Sequence, residues 1–382
     1  MKKQFYQDFK LGILGGGQLG RMFIQACTNF NVSSHVLDPD IDAPCKELAA
    51  SFTHGDLKDF DTVYNFGKDK DLITIEIEKV NVEALKKLQA EGTKVYPQPE
   101  AIEIIQDKRI QKQFYQEHHI PTAAFVLTDS KEDVMAHRDF LPAFNKLGKD
   151  GYDGRGVQKL SNESDLDKAF EQASLLEKLV DFEQEISVIV SRNPQGQVKA
   201  YPPVALVFHP AYNLVDYLLS PAILPSNIAE EAMKIAITVI EKLNMVGILA
   251  VEMFLTKDGK LLVNEVAPRP HNSGHQTINA SVTSQYEQHL RAILGLPAGS
   301  TEVQLPSAMV NILGEDRHTG IAKYQGIEDL LAIEGVNLFL YGKKETKPQR
   351  KMGHITIVDR DIEALKQKVK KVKESLKVIS QM

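Results

Sequence analysis

Short apolar runs alternate with segments of helical period through the first hundred residues. The apolar runs lie at residues 11–14, 32–37 and 72–77, and the helical patterns lie at residues 21–29 and 82–89. This alternation predicts βαβ units, and therefore a parallel sheet with helices on its faces. Pro97 and Pro99 close the region, because proline ends both a helix and a sheet ladder.

The rest of the chain divides into two further parts. A charged helical segment is predicted from Ala101 to His119, and strands, hairpins and helices follow until the turn at Pro297. The last part combines short strands with a Lys-rich helix predicted from Ile362 to Val378, whose apolar positions form one stripe. We therefore predict an N-terminal α/β domain at 1–100, a central region at 101–300 with a subdomain at about 122–180, and a C-terminal domain at 301–382.

Composition narrows the class of protein. A chain of 382 residues with a net charge of −6 is long enough for two or three domains and lacks the basic balance of a nucleic-acid binder. Its two cysteines do not form a disulfide framework, which favours a reducing cytoplasmic compartment. We find no signal-peptide pattern and no apolar run of membrane-spanning length, so we expect small-molecule partners, no nucleic acid and no membrane.

Two glutamates mark a predicted hairpin. Asp258-Gly259 lies between apolar runs, and a two-residue type I′ turn there would place Phe254 opposite Val263 and Glu252 opposite Glu265. Opposed residues project from one sheet face with Cβ atoms roughly 4.5–5.5 Å apart. Two such carboxylates repel each other unless a cation lies between them, and magnesium bound by carboxylates and substrate phosphates meets that need. Solvated acids that diverge into water are the alternative.

A glycine loop follows the first predicted strand. Gly15, Gly17 and Gly20 satisfy the GxGxxG pattern of dinucleotide-binding proteins, and Asp38 ends the next strand, where a ribose-binding acid is expected. An NAD-dependent oxidoreductase is therefore one hypothesis. The physical requirement is weaker, however, because amides at a helix N-terminus suit any phosphate or carboxylate.

A second glycine-rich segment, residues 148–156, lies between two short predicted antiparallel strands. Its four glycines can fold backbone amides over phosphates, and Tyr152, Asp153 and Arg155 add anion contacts and acid–base groups. It is not a P-loop, since a strand follows the glycines. Together with the carboxylate pair and with Lys108 and Lys146 as phosphate ligands, this predicted lid indicates phosphoryl transfer.

At this point the residues resemble a known family. Gly151-Tyr152-Asp153-Gly154-Arg155-Gly156 and the run from Asn264 to His275 are similar to motifs of the N5-carboxyaminoimidazole ribonucleotide synthetases, ATP-grasp enzymes of purine biosynthesis. The resemblance extends from Gly12 to about His354. It implies an ATP-grasp fold with a Rossmann-like N-terminal parallel-sheet domain that binds substrate, a central ATP-grasp region with a glycine-rich lid, and a small C-terminal domain.

The resemblance also implies site residues. For ATP they are Lys108, Lys146, Gly151, Tyr152, Asp153, Gly154, Arg155, Gly156, Val157, Glu177, Lys178, Leu179, Val180, Glu185, His209, Asn264 and Glu265. For 5-aminoimidazole ribonucleotide they are Gln18, Leu19, Glu76, Asp153, Arg155, Asn272, Lys343 and Arg350. The resemblance assigns magnesium binding to Glu252 and Glu265. It assigns catalytic roles to Tyr152, Asp153, Arg155 and Arg269.

Some positions depart from the family pattern. Ala267 stands where the broader ATP-grasp pattern has asparagine, a change that the synthetases share. Lys347 and Gln349 stand where the family usually has arginine and glycine, and the stretch before His209 departs from the commoner Glu-Asn-x-His pattern. These departures affect the expected phosphate clamp and the ATP contact of His209.

The expected reaction uses ATP, magnesium and bicarbonate. Bicarbonate would attack the γ-phosphate to give carboxyphosphate, and the carboxyl group would pass to the amine of 5-aminoimidazole ribonucleotide, with Asp153 orienting or deprotonating that amine. A formate-dependent glycinamide ribonucleotide transformylase is the nearest alternative. The NAD-dependent oxidoreductase and a non-catalytic nucleotide-binding regulator represent other classes. The resemblance favours a homodimer.

Overall fold

The computed structural model describes residues 4–149, 151, 156–208 and 215–381. The N-terminal part is a parallel five-stranded sheet in the order β3-β2-β1-β4-β5, as the alternating pattern predicts. Its strands are β1 (Lys10–Leu14), β2 (Ser33–Asp38), β3 (Ser51–His54), β4 (Leu72–Ile75) and β5 (Lys94–Val95), and its helices are α1 (Gln18–Asn29), α2 (Phe60–Gly67) and α3 (Val82–Ala90).

Two helices replace the single charged helical segment predicted after the first sheet. They are α4 (Pro99–Gln106) and α5 (Lys108–Glu117). Asp107 separates them because its backbone is extended, at φ −118° and ψ 111°, and its carboxylate accepts a hydrogen bond from the amide of Arg109. The break places Lys108 in the first turn of a new helix.

A four-stranded antiparallel sheet, in the order β6-β9-β7-β8, forms the subdomain that carries the second glycine segment. The strands flanking that segment are antiparallel neighbours, as predicted. The elements are β6 (Phe125–Thr128), α6 (Lys131–Ala136), β7 (Ala143–Leu147), β8 (Val157–Leu160) and β9 (Ser174–Lys178), with 3₁₀ turns at Arg138–Phe140 and Glu163–Lys168.

One large sheet continues from the central region into the C-terminal residues. Its order is β15-β14-β10-β12-β13-β16-β20-β18, and β11 pairs with β10. The elements are β10 (Phe182–Arg192), β11 (Val198–Ala200), β12 (Val204–Phe208), β13 (Val215–Ser220), α7 (Ser226–Lys242), β14 (Gly247–Thr256), β15 (Leu261–Ala267), a 3₁₀ turn at Asn272–Gly274, α8 (Thr277–Ala280), α9 (Gln285–Leu294), β16 (Ser307–Leu313), β17 (Gly320–Gln325), α10 (Ile327–Leu331), β18 (Val336–Leu340), β19 (Glu345–Thr346), β20 (Lys351–Val358), α11 (Ile362–Ser375) and β21 (Lys377–Ser380).

The C-terminal helix is shorter than its apolar pattern predicts. Helix α11 ends at Ser375, and the chain then extends as β21, which pairs with β17 in a three-stranded sheet with β19. Leu365, Val369 and Val372 are buried as predicted, but Leu376 follows the helix. Among the described residues, no helix combines the length and apolarity needed to cross a membrane.

The register of the β14–β15 hairpin differs from the prediction, although its two glutamates do face each other. The amide of Gly259 donates to Thr256 O, and Leu255 pairs with Leu261, so a three-residue loop replaces the two-residue turn. Gly259 has φ +80°, which glycine adopts at little cost. A bulge at Asn264 then restores the pairing of Glu252 with Glu265.

Candidate functional site

Glu252 and Glu265 lie on the face of the large sheet opposite α7. Glu252 pairs with Ser187 on β10, and Glu185 lies two residues away on the same face. The bulge at Asn264 brings both Asn264 and Glu265 to this face, where each influences the ionisation of Glu185. Three carboxylates and one amide therefore line one patch of the sheet.

The carboxylates titrate as an interacting group. Burial and the neighbouring Glu265 and Glu185 carboxylates raise the pKa of Glu252, and burial and Glu265 raise the pKa of Glu185 to about 7. Burial also opposes ionisation of Glu265, but the ammonium groups of Lys108 and Lys146 outweigh it and lower the pKa of Glu265. The repulsion predicted between the two opposed glutamates is present, and lysines from other elements relieve part of it.

The residues fit a magnesium ion that arrives with phosphate. Glu252 and Glu265 offer hard oxygen ligands, and Lys108 Nζ, 3.2 Å from Glu265 Oε2, already places a positive charge there. Within the part of the chain that the structure describes, no group of three or more His, Cys, Asp or Glu side chains could hold a metal ion. Two carboxylates need additional oxygen ligands, which substrate phosphates supply.

An ion-pair triad with two buried members, Lys112 and Glu177, adjoins this patch. Lys146 Nζ on β7 donates to Glu177 Oε1 on β9 at 2.6 Å, and Lys112 Nζ on α5 lies 2.5 Å from Glu177 Oε2. The side chains of Lys112 and Glu177 are 4% and 3% exposed and that of Lys146 is 14% exposed, so each oxygen of the buried carboxylate lies within ion-pair distance of one ammonium group. We did not predict Lys112, although its position four residues after Lys108 places both on one helix face.

A cleft of about 460 Å³ opens above the carboxylates. Gly151, which belongs to the predicted lid, and Val157, which follows it, line the cleft together with Lys108, Arg269 and Ala267. Val157 begins β8, and Gly156, with φ +74°, lies just before it. The cleft therefore brings together residues of the subdomain, the large sheet and α5. The predicted site residues Tyr152, Asp153, Gly154, Arg155 and His209 lie outside the described residues.

Arg269 connects the cleft to the N-terminal sheet. Its Nε lies 2.9 Å from Glu78 Oε1, and both side chains are about one-fifth exposed. Its charge also acts on Glu252 and Glu76, since it contributes to the ionisation of both. The guanidinium therefore lies between the carboxylate patch and the first glycine loop.

The first glycine loop holds a carboxylate of the protein itself. Glu76 follows β4 and accepts hydrogen bonds from the amides of Gly17 and Leu19, at the N-terminus of α1 beside Gln18. A Cβ at Gly17 would collide with Glu76 Oε1, so a larger residue there would force the carboxylate to move away from these amides. Burial raises the pKa of Glu76 to about 7. A dinucleotide phosphate would need the amides at the N-terminus of α1. Those of Gly17 and Leu19 already donate to Glu76.

A basic cluster from the C-terminal part approaches the same region. Burial and the nearby Arg350 lower the pKa of Lys343 to about 8, while Glu76 acts in the opposite direction. Lys343 Nζ donates to Lys351 O at 2.7 Å, and Arg350 donates to Glu345 O at 2.7 Å. The structure thus brings Lys343 near both Arg350 and Glu76.

The other predicted residues have clear positions. Asn272 donates to the side chain of Asn311, a residue of β16, at 2.9 Å. Lys178 ends β9, and its ammonium donates to Phe140 O and Leu141 O, which ties the strand to the end of the 3₁₀ turn at Arg138–Phe140. Leu179 and Val180 are half-buried in the link between β9 and β10. Contact of this link and of Glu177 with adenine stays a prediction.

Family comparisons agree with this architecture. The chain matches the ribonucleotide synthetase preATP-grasp domain over residues 9–106, the ATP-grasp domain over 113–286, and the phosphoribosylaminoimidazole carboxylase C-terminal domain over 307–368. It is 36% identical over 366 residues to the N5-carboxyaminoimidazole ribonucleotide synthase of Bacillus subtilis (strain 168), and the match covers 94% of each chain. The chain belongs to the N5-carboxyaminoimidazole ribonucleotide synthase family.

Solved structures of the family share its fold. The N5-carboxyaminoimidazole ribonucleotide synthetase of Thermotoga maritima superposes with a TM-score of 0.90 at 42% identity, covering 98% of this chain and all of that one (100%). The Aspergillus clavatus synthase, solved with ADP and 5-aminoimidazole ribonucleotide, gives a TM-score of 0.87 at 30% identity, covering 96% and 98%. The ATP-grasp fold predicted from the motifs is confirmed.

The family also includes longer chains. The chloroplastic phosphoribosylaminoimidazole carboxylase of Vigna aconitifolia is 37% identical over 364 residues, which cover 93% of this chain. The chain spans 65% of the length of that relative. The NAD-dependent oxidoreductase hypothesis is wrong: it arose from a glycine pattern whose helix N-terminus binds Glu76, and the family is one of ATP-dependent ligases.

Gln349, one of the departures from the family pattern, adopts a glycine-like conformation. Its φ is +62°, and the amide of Arg350 donates to Lys347 O, so Pro348 and Gln349 are the central residues of a turn that needs a positive φ at its third position. Glycine at this position in the family is thereby explained. The turn forms with glutamine at this position, and the hydrogen bond from the amide of Gln349 to Gly314 O helps to hold it.

Gln349→Gly is expected to raise the free energy of unfolding by about 0.5–1 kcal/mol, because the left-handed region penalises a Cβ more than the extra freedom of glycine costs in the unfolded chain. Urea unfolding followed by circular dichroism measures this difference. Gln349→Ala is the matched control, since it removes the side chain but keeps the penalised conformation. An equal gain in both variants would contradict the backbone explanation.

Proposed function

We propose that this protein uses ATP and bicarbonate to carboxylate 5-aminoimidazole ribonucleotide, giving N5-carboxyaminoimidazole ribonucleotide, ADP and phosphate. The observation that carries the proposal is the position of Arg269. Arg269 lies between two regions of the site. One region contains the carboxylates and lysines and suits magnesium-ATP. The other contains Glu76 and Lys343 and suits a second, phosphorylated substrate. A ligase of this kind must hold two such substrates side by side.

The first chemical step transfers the γ-phosphoryl group. An oxygen of bicarbonate attacks the γ-phosphorus, the bond to the β,γ-bridging oxygen breaks, and carboxyphosphate and ADP form. Glu252 and Glu265 would hold the magnesium ion, which would neutralise charge on the phosphates. Lys146 and Lys108, whose ammonium groups lie in and beside the carboxylate patch, and Arg269 add fixed positive charge where the transferring group becomes more anionic.

The second step forms the carbon–nitrogen bond. The exocyclic amine of the ribonucleotide attacks the carboxyl carbon of carboxyphosphate, the carbon–oxygen bond to phosphate breaks, and the amine loses a proton. We assign Asp153 to orient or deprotonate the amine, with Tyr152 and Arg155 beside it on the lid. Closure of the predicted lid, residues 148–156, over the cleft would exclude water, which otherwise hydrolyses carboxyphosphate.

Binding of the ribonucleotide is assigned to three regions. Gln18, Leu19 and Glu76 would contact it at the carboxyl ends of the parallel strands, where open α/β sheets bind ligands. Lys343 and Arg350 would hold its phosphate, supported by their proximity to each other and to Glu76. Asn272, hydrogen-bonded to Asn311, would approach from the large sheet.

The phosphate assignment predicts a pH dependence. The pKa of Lys343 is about 8, so its ammonium is present below that pH and is lost as the pH rises through it. We expect kcat/KM for the ribonucleotide to fall above pH 8, since this ratio reports ionisation of the free enzyme. Lys343→Arg should remove this decline, because a guanidinium stays protonated. A decline that persists unchanged in Lys343→Arg would contradict the assignment.

The function is tested by measuring ADP release with magnesium-ATP. Release should require both bicarbonate and 5-aminoimidazole ribonucleotide, and the product should carry one added carboxyl group by mass spectrometry. Release that requires formate and glycinamide ribonucleotide would favour the transformylase. Binding of ATP with no release under either condition would favour a regulator.

We propose a homodimer on the family resemblance alone, and a cytoplasmic location. The two cysteines, Cys27 and Cys45, are free and buried, which is compatible with a reducing compartment. Light scattering coupled to size-exclusion chromatography tests the oligomeric state, and a chain that elutes with the mass of a monomer at micromolar concentration would contradict a stable dimer.

A further inference from the structure

The polar network around Lys112 joins α5, β9, β15 and the segment between α5 and β6. Lys112 Nζ on α5 lies 2.5 Å from Glu177 Oε2 and also donates to Thr122 Oγ1. Thr122 Oγ1 donates in turn to Val263 O at 2.7 Å, and the amide of Val263 donates to Pro121 O at 2.7 Å. Lys112 therefore connects β9 of the subdomain to β15, which carries Glu265 two residues later.

The Glu177 carboxylate lies between two lysines. Its Oε1 receives Lys146 Nζ at 2.6 Å, and its Oε2 faces Lys112. The three groups together carry a net charge of +1, and Lys146 is the more exposed of the two lysines: its side chain is 14% exposed, against 4% for Lys112. The ammonium of Lys146 also contributes to the ionisation of both Glu265 and Glu185.

We propose that Lys112 is a positioning residue for ATP binding, which acts by sharing the Glu177 carboxylate so that Lys146 remains available to the phosphates. Without Lys112, Glu177 and Lys146 form a neutral, closed pair in a nearly dry site. Lys146 must then leave the Glu177 carboxylate to bind ATP. This cost weakens phosphate binding without removing a phosphate contact directly.

This inference rests on the proposed function only in that Lys146 must contact ATP. We expect Lys112→Met to weaken magnesium-ATP binding by about tenfold to a hundredfold, the equivalent of one charge-assisted hydrogen bond. KM for ATP should rise, while KM for the ribonucleotide changes little. Lys234→Met, an exposed lysine on α7, is the control for the loss of a positive charge.

A double-mutant cycle separates this role from a merely structural one. If Lys112 acts through Glu177, adding Lys112→Met to Glu177→Gln should change ATP affinity by less than about threefold, because no carboxylate is left to share. A structural role predicts the same loss with or without Glu177. If Lys112→Met alone does not fold, the comparison of Glu177→Gln with the double variant still decides, and a tenfold difference between them would overturn the proposal.

Titration calorimetry with magnesium-ATP in the absence of ribonucleotide keeps the two hypotheses apart. A wild-type protein that fails to bind ATP would contradict the proposed function. A wild-type protein that binds ATP, beside a folded Lys112→Met variant that binds it equally well, would contradict only the role of Lys112.

Discussion

Replacing Glu265 by glutamine is expected to lower kcat for ADP release by about 10²–10³-fold. Glu265 faces Glu252 across β14 and β15, and the amide keeps the shape of the side chain but not its negative charge. One carboxylate would then remain for magnesium, and Lys108 would lose its partner in the cleft. ADP release measured over a range of magnesium concentrations should show half-saturation shifted upward, with part of kcat restored at saturating magnesium.

Glu230→Gln is the matched control, since Glu230 is exposed on α7 and removes the same charge on the other side of the large sheet. It should leave kcat and the magnesium dependence unchanged. If Glu265→Gln lowered kcat but kept the wild-type magnesium dependence, Glu265 would be acting elsewhere than on the metal. Wild-type turnover in Glu265→Gln would remove the carboxylate pair from the mechanism.

The sequence predicts the pairing of Glu252 with Glu265 correctly, but the predicted turn explains only part of it. The strong turn residues Asp258 and Gly259 predict a hairpin, and the hairpin forms, but its loop has three residues in place of two. That shift alone would have moved Glu265 out of register with Glu252. The bulge at Asn264 compensates for this one-residue shift, and no local pattern in the apolar run predicts a bulge.

Periodic features were predictable and long-range polar contacts were not. The parallel sheet of the N-terminal part follows from apolar runs whose period is a local property of the chain. Glu76 and Gly17 are 59 residues apart, and Lys112 and Glu177 are 65 apart, so their pairing depends on how separate elements pack. Without the family resemblance, the first glycine loop therefore remained open to several anions, because the glycine pattern specifies an amide cradle and not its occupant.

After Glu252 and Glu265, Arg269 is the residue whose replacement is expected to lower activity most. Its positive charge acts on both the carboxylate patch and Glu76. Arg269→Gln should lower kcat by about 10²–10³-fold, the usual cost of removing a fixed positive group from a transferring phosphoryl centre. Its partner Glu78 lies 2.9 Å from Nε and is only partly exposed, so the variant also leaves this carboxylate without its guanidinium. Single-turnover ADP formation with saturating substrates measures the chemical step directly.

Two companion variants separate charge from geometry. Arg269→Lys keeps a positive charge but loses the planar fork that can reach Glu78 and the cleft together, so its kcat should fall between those of Arg269→Gln and the wild type. Glu78→Gln leaves the guanidinium charged while loosening its anchor, and should cost less than either change at Arg269. If Glu78→Gln were as damaging as Arg269→Gln, the carboxylate would be the group that acts, and Arg269 would serve to hold Glu78. The order of the three variants therefore decides which member of the ion pair faces the reacting phosphate.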